Sequence, residues 1–119
     1  VLKRRLDRGK ETVAIDQTSQ QWLGGKLEEV HKAMLEKARV MREQMTRTAS
    51  TYEEMKKILA EQGGFARCYF NPSIENEKKI KEETKATIRC IPFDGPRDAG
   101  TCMVTGAPSE RRVVFARAY

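Results

Sequence analysis

The sequence predicts an α+β fold in which an edge hairpin and a long connecting helix precede a small two-layer α/β sandwich. Three observations carry that class. An apolar stripe recurs at helical spacing from Leu23 to Met45. After it, helix signals and short β-prone runs alternate to the end of the sequence. Before it, the turn residues Asp7-Arg8-Gly9-Lys10 divide two short apolar-framed segments. The 119 residues suffice for one ordinary domain whose core needs neither disulfides nor a metal.

The first element is a hairpin over residues 1–15, with Val1-Leu2 and Leu6 on the outward limb and Thr12-Val13-Ala14-Ile15 returning. A lone hairpin is marginal in water, so it is expected to be the edge of a larger sheet. The helix follows: Leu23, Leu27, Val30, Met34, Ala38, Met41 and Met45 step by three or four residues. Leu23 to Met45 spans ~33 Å at 1.5 Å per residue. Glu28–Lys32 and Glu43–Arg47 stand at helical pairing distance, and Gly24-Gly25 should weaken the first turn. Leu27, Val30, Met34 and Met41 are expected to form a buried seam with neighbouring domains, with Trp22 packed where the helix meets them.

A second helix opens on Thr51-Tyr52-Glu53-Glu54, a capping box, presents Tyr52, Met55, Ile58 and Leu59 on one face, and ends at Gly63-Gly64. Phe65–Phe70 reads as a strand. Asn71-Pro72-Ser73 reads as the start of a third helix, capped by Asn71, that reaches about Lys81 or Glu82. Thr87–Ile91 is a strand stopped by Pro92, a Gly/Pro/Asp loop spans Asp94 to Gly100, and strands at Thr101–Val104 and Arg112–Ala118 flank the turn Thr105-Gly106-Ala107-Pro108. The Cys102–Val104 and Val113–Phe115 segments are expected to pair.

At 39% hydrophobic and 34% charged the chain is globular rather than disordered, and no apolar run approaches the ~18 residues of a membrane-spanning helix. The net charge of +6 favours polyanionic partners. It is uneven, residues 1–48 carrying +4 and the rest +2. Lys3, Arg4, Arg5, Arg8 and Lys10 on the hairpin form the expected phosphate footprint. His31, the sole histidine, falls on the charged side of the long helix and reads as a surface residue. No nucleophile elbow, P-loop or dinucleotide fingerprint is present. Cys68, Cys90 and Cys102 are odd in number and lack CxxC spacing, which argues for reduced, small buried residues in a cytosolic setting. The start lacks an initiator methionine and an apolar signal region, so a segment of a longer polypeptide is expected.

The run Ile80-Lys81-Glu82-Glu83-Thr84-Lys85-Ala86-Thr87-Ile88-Arg89-Cys90-Ile91-Pro92-Phe93 closely resembles the C-terminal domain of prolyl-tRNA synthetases of the eukaryotic and archaeal type. Gly64-Phe65-Ala66, the final Val113-Val114-Phe115-Ala116-Arg117-Ala118-Tyr119, and the helix segment Leu35–Ala38 through Arg42-Glu43 and Thr46 fit the same family in order. The resemblance implies three parts: residues 1–16 ending a class II anticodon-binding domain, a connecting helix over 17–48, and a C-terminal α+β domain over 49–119. It implies a parent ligase that joins proline to its tRNA with ATP and Mg²⁺, cytoplasmic and homodimeric, whose catalytic domain is not in this chain. This part would brace the catalytic and anticodon domains and help seat tRNA. No catalytic residue is expected here, except that the terminal carboxylate and ring of Tyr119 would support the active site. Family zinc positions fall at Asn71, Asn76, Cys102 and Thr105, of which only Cys102 is a good ligand, so a degenerate zinc-type domain without the metal is expected. Asn76 and Thr105 would then hydrogen-bond across the old site. A different class of reading is a free-standing basic RNA-binding module without enzymatic activity.

Overall fold

The computed structural model describes every residue except Asp94, Pro96 and Tyr119. The chain divides into two compact units, Val1–Met41 and Arg42–Tyr119.

In the first unit, β1 (Leu2–Lys3) and β2 (Lys10–Glu11) pair antiparallel, Leu2 opposite Glu11 and Lys3 opposite Lys10. The return strand is therefore earlier and shorter than the sequence suggests, and Ile15–Gln17 forms a 3₁₀ turn instead of strand. Helix α1 runs from Gln20 to Met45 and begins before Gly24-Gly25, because the Ser19 hydroxyl accepts from the Trp22 N–H at 3.1 Å and fixes the first turn upstream. Its pairings also differ from expectation. Arg47 lies in the next strand, out of helical reach of Glu43, while Lys26 bonds Glu29 at 3.4 Å and Glu11 of the hairpin at 3.2 Å. The Lys26 ammonium sits 5.5 Å from the half-buried Trp22 ring. No residue of α1 is buried: Leu27 is 70% exposed, Met34 51% and Met41 61%. The stripe predicts the helix correctly, but within this chain it is not a seam.

In the second unit, β3 (Thr46–Thr48), β4 (Phe65–Tyr69), β5 (Ala86–Cys90) and β8 (Arg112–Arg117) form one sheet in the order β3-β4-β8-β5. Strand β3 is parallel to β4, and β8 is antiparallel to both β4 and β5. Helix α2 (Tyr52–Lys57) connects β3 to β4 and continues as a π turn over Ile58–Gln62. Helix α3 (Ile74–Thr84) connects β4 to β5. The short strands β6 (Gly100–Thr101) and β7 (Pro108–Ser109) pair separately. Residues 102–104 are accordingly not a strand pairing with β8, whose partners are β4 and β5.

Local chemistry explains these boundaries. The Thr51 hydroxyl accepts from the Glu54 N–H at 3.2 Å, and the Glu54 carboxylate accepts from the Thr51 N–H at 3.3 Å. Gly63 (φ 66°) and Gly64 (φ 80°) turn the chain into β4, and at Gly64 a Cβ would collide with the Met45 carbonyl oxygen. Ser73, not Asn71, caps α3, and the helix extends to Thr84 before Lys85 closes it at φ 60°. Alternation then makes the core. Ala66 and Cys68 of β4 and Val113 and Phe115 of β8 meet Met55 and Leu59 from the first helical layer, Ile80 of α3, and Phe70, Ala86 and Cys102. The Phe70 and Phe115 rings contact edge to face at 5.3 Å.

Phe115→Ala should therefore destabilise the second unit by ~3–5 kcal/mol. Met34→Asp, on the exposed stripe, should leave that unfolding transition within ~0.5 kcal/mol of the parent value. Urea titrations of both variants would check this contrast, and a matching loss in the Met34 variant would contradict it.

Candidate functional site

The loop between β6 and β7 is closed by hydrogen bonds. The Cys102 N–H donates to the Ala107 carbonyl at 2.8 Å, the Gly106 N–H to the Cys102 carbonyl at 2.9 Å, and the Met103 N–H to the Tyr69 carbonyl at 2.9 Å. Asn71 staples this loop to the end of β4. Its backbone N–H donates to the Cys102 sulfur at 3.4 Å and its side-chain Nδ2 to the Pro108 carbonyl at 2.9 Å. Because Ser73 Oγ accepts the Asn76 N–H at 3.2 Å and caps α3, the Asn71 amide is free for this bridge. Thr105 Oγ accepts from the Ala107 N–H at 3.3 Å and stays within its own turn. The bridge expected of Asn76 and Thr105 is thus made by Asn71.

Of the four positions at which the resemblance implies zinc, the fold joins Asn71, Cys102 and Thr105 and leaves Asn76 to the helix cap. These donors do not fit the metal. The Asn71 amide directs its NH₂ at a carbonyl, Cys102 is the sole thiol of the set, and among the described residues no three His, Cys, Asp or Glu cluster. Burial pushes Cys102 up, but a hydrogen bond from the Thr105 hydroxyl and N–H groups of Asn71, Thr105 and Val104 outweigh it and hold the thiol below its ordinary value. Burial, then the nearby Cys102, push Cys68 up to about 12, so it is a poor thiolate source. Cys90 is exposed, not buried: a bulge between Ile88 and Cys90 sets it opposite Val114 at the end of β5.

Lys3, Arg4, Arg5, Arg8 and Lys10 are all exposed on the hairpin unit. Arg4 is partly neutralised by Asp7, its Nη2 standing 3.0 Å from the carboxylate, and the Arg4 N–H donates to the Gly9 carbonyl at 2.9 Å. Arg8 adopts φ 57° and Asp7 Oδ1 accepts from the Gly9 N–H, which shapes the turn that displays these cations. Tyr119, expected to support an active site, lies outside the described residues.

A further surface escaped the sequence reading. The face of the sheet opposite the core carries Phe65, Arg67 and Tyr69, which alternate with the buried Ala66 and Cys68. There Arg112 lies 4.7 Å from the Tyr69 ring centre and 3.2 Å from the Asp98 carboxylate. A hydrogen bond from Tyr69, then Arg112, hold the Asp98 carboxyl below its ordinary value. Beside this cluster opens a groove of about 830 Å³, with Arg42, Arg67 and Arg89 on its walls and Phe65, Phe93 and Val114 among its apolar lining. The signal was available in the alternation Phe65-Ala66-Arg67-Cys68-Tyr69.

Residues 52–119 match the family model for the C-terminal part of prolyl-tRNA synthetase. Among curated relatives, the proline–tRNA ligase of Roseiflexus castenholzii is 48% identical over 97 residues, covering 82% of this chain and 20% of that protein. That of Bacteroides fragilis is 46% identical over 114 residues, 92% of this chain and 22% of the relative. That of Flavobacterium johnsoniae is 40% identical over 116 residues, 98% and 23%. The chain spans about a fifth of the length of the first of these relatives.

Purified under metal-free conditions and then offered zinc, the chain should retain less than ~0.1 equivalent after desalting, because one strong donor cannot complete a tetrahedral site. About one zinc per chain by elemental analysis would overturn this. Alkali gives a second expectation. Cys68 and Tyr52 are each raised to about 12, Cys68 by burial and Tyr52 by burial and then its bond to Glu83. Both favour the folded state while protonated, so their contribution is complete below the unfolded values of ~8.5 and ~10 and is lost as pH rises toward 12. Melting temperature should fall progressively from pH 9 to 12. A Cys68→Ala/Tyr52→Phe variant should flatten the decline.

Proposed function

Because the chain belongs to the C-terminal family of prolyl-tRNA synthetases, we propose that it is the C-terminal part of a proline–tRNA ligase that charges its tRNA with proline at the expense of ATP with Mg²⁺. The observation that supports this reading is similarity at 40–48% identity over alignments that cover 82–98% of the chain, beyond the residues of the family model. The relatives named above come from bacteria. Assignment to the eukaryotic and archaeal type rests on the residue runs quoted from the sequence.

In this reading residues 1–16 finish the anticodon-binding domain, 17–48 connect, and 49–119 form the C-terminal domain. The chain's own task is to brace the catalytic and anticodon domains and help seat tRNA. The stripe of α1 supplies apolar surface for that bracing, and the hairpin cations Lys3, Arg4, Arg5, Arg8 and Lys10 supply phosphate contacts without base readout. Tyr119 would pack toward the catalytic domain as an aromatic anchor. The parent is cytoplasmic and works as a homodimer. No helix of the described residues is long and apolar enough to cross a membrane.

The test uses the full-length parent. It should catalyse proline-dependent ATP–pyrophosphate exchange and charge proline tRNA, whereas residues 1–119 alone should do neither. Removing residues 49–119 from the parent should lower kcat/KM for tRNA by about tenfold or more, a loss of ~1.4 kcal/mol in transition-state stabilisation. A full-length parent inactive with proline, or selective for another amino acid, would refute the reading.

A further inference from the structure

We propose that the open face of the β3-β4-β8-β5 sheet is an RNA-contacting surface, taking phosphates on Arg42, Arg67 and Arg89 and a splayed base against Phe93. The choice of RNA among polyanions rests on the tRNA-ligase reading above; the cationic character of the face does not. Among the described residues, three guanidinium groups line the groove against one carboxylate, that of Glu43. Among the described residues none of the three arginines forms an ion pair, in contrast to Arg112 with Asp98. The Nε of Arg67 is buried and has no hydrogen-bond partner among the described residues, so this guanidinium is not fully satisfied by the chain's own acceptors. Guanidinium forks match phosphate oxygens in two-point geometry.

The apolar part of the groove distinguishes the occupant. Phe93 is fully exposed at its rim, and Phe65 and Val114 lie deeper. An unpaired base offers a flat face to such a ring, and stacking of this kind tolerates any base. An acidic protein segment would engage the arginines but would offer Phe93 a planar partner only through an aromatic residue of its own, whereas every base supplies one. Arg97 and Arg111 flank the adjoining concavity that shares Arg67 and Phe93, extending the cationic track past a single phosphate.

The experiment measures binding of residues 1–119 to a fluorescein-labelled proline tRNA transcript and to a single-stranded oligonucleotide carrying 2-aminopurine, from 50 to 200 mM salt. Arg42→Gln/Arg89→Gln, both at exposed positions, should weaken tRNA binding about tenfold at 100 mM salt. The log–log salt slope should become shallower by ~1.4–1.8, two phosphate contacts' worth. Phe93→Ala should abolish 2-aminopurine quenching and leave the slope unchanged. Arg5→Gln/Lys10→Gln on the hairpin should change the slope but not the quenching. Unchanged affinity and slope in the Arg42/Arg89 variant would overturn the proposal, as would absence of RNA binding at 50 mM salt. Polyglutamate that displaces the RNA at equal charge, with quenching insensitive to Phe93→Ala, would also overturn it and assign the face to an acidic protein. Proline charging by the full-length parent is read separately, so any of these failures leaves the ligase reading standing.

Discussion

Strand β8 is the constraint on which the second unit depends. It is hydrogen-bonded to β4 along one edge and to β5 along the other, and β4 and β5 do not pair with each other. The two βα segments therefore remain separate until a strand from the far end of the chain enters between them antiparallel. Contacts of such sequence separation are entropically costly to close. The return comes from burial: Val113, Val114, Phe115 and Ala116 are all buried, which only a strand covered on both faces achieves. Phe115 adds the edge-to-face contact with Phe70 at the point where β4 leaves the sheet, tying the central strand to the turn that enters α3.

That turn also shows which of the chain's own groups hold the β6–β7 loop, where the donors do not fit a zinc ion. A structural zinc site contributes ~10–16 kcal/mol of folding free energy, whereas each hydrogen bond contributes ~0.5–1.5 kcal/mol net. The bonds made by Asn71, Cys102, Met103 and Gly106 cannot equal a zinc ion. They do not need to, because the loop is anchored at its base by the buried Cys102 and by a two-residue ladder between β6 and β7. The Tyr69 ring packs so close to Gly100 that a Cβ there would overlap it. The loop is thereby clamped between an aromatic ring on the open side of the sheet and a thiol in the core.

Much of this was legible in the residues, and the gaps have physical causes. The Thr51–Glu54 box and the Gly63-Gly64 stop are local chemistry and were readable as such. The stripe from Leu23 to Met45 reported a helix, but a stripe records only a capacity to bury. Its partner is not encoded in its spacing, and Leu27 and Met34 are exposed. Strand β3 was invisible because three residues are too few for alternation, and its pairing with β4 is parallel and nonlocal. Asn71-Pro72-Ser73 contains two candidate caps, and the tie is broken by tertiary contacts: the Asn71 amide is engaged by Pro108 and its backbone by Cys102. The segment after Cys102 is β-prone in composition, yet Gly106 at φ 71° folds it back on itself before a ladder can extend. For the candidate surfaces, the hairpin cations were readable from composition. The arginines of the open face were not, since Arg42, Arg67 and Arg89 come from three elements that only the sheet order brings together.

The open face also couples stability to charge. A solvated sheet face is ordinarily polar, yet Val114 and Ala116 on that side of β8 are only 8% and 6% exposed. Two arginines neighbour these residues. Arg67 lies directly opposite Val114 in the ladder, and the Arg89 guanidinium reaches across to the Ala116 carbonyl at 3.4 Å. From such positions the methylene stems of arginine can lie on apolar strand surface while the head reaches the groove. A carboxylate at either position would reverse the charge and also uncover the strand, because its stem is shorter. The arginines that neighbour the central strand thus also set the electrostatic character of the face it presents.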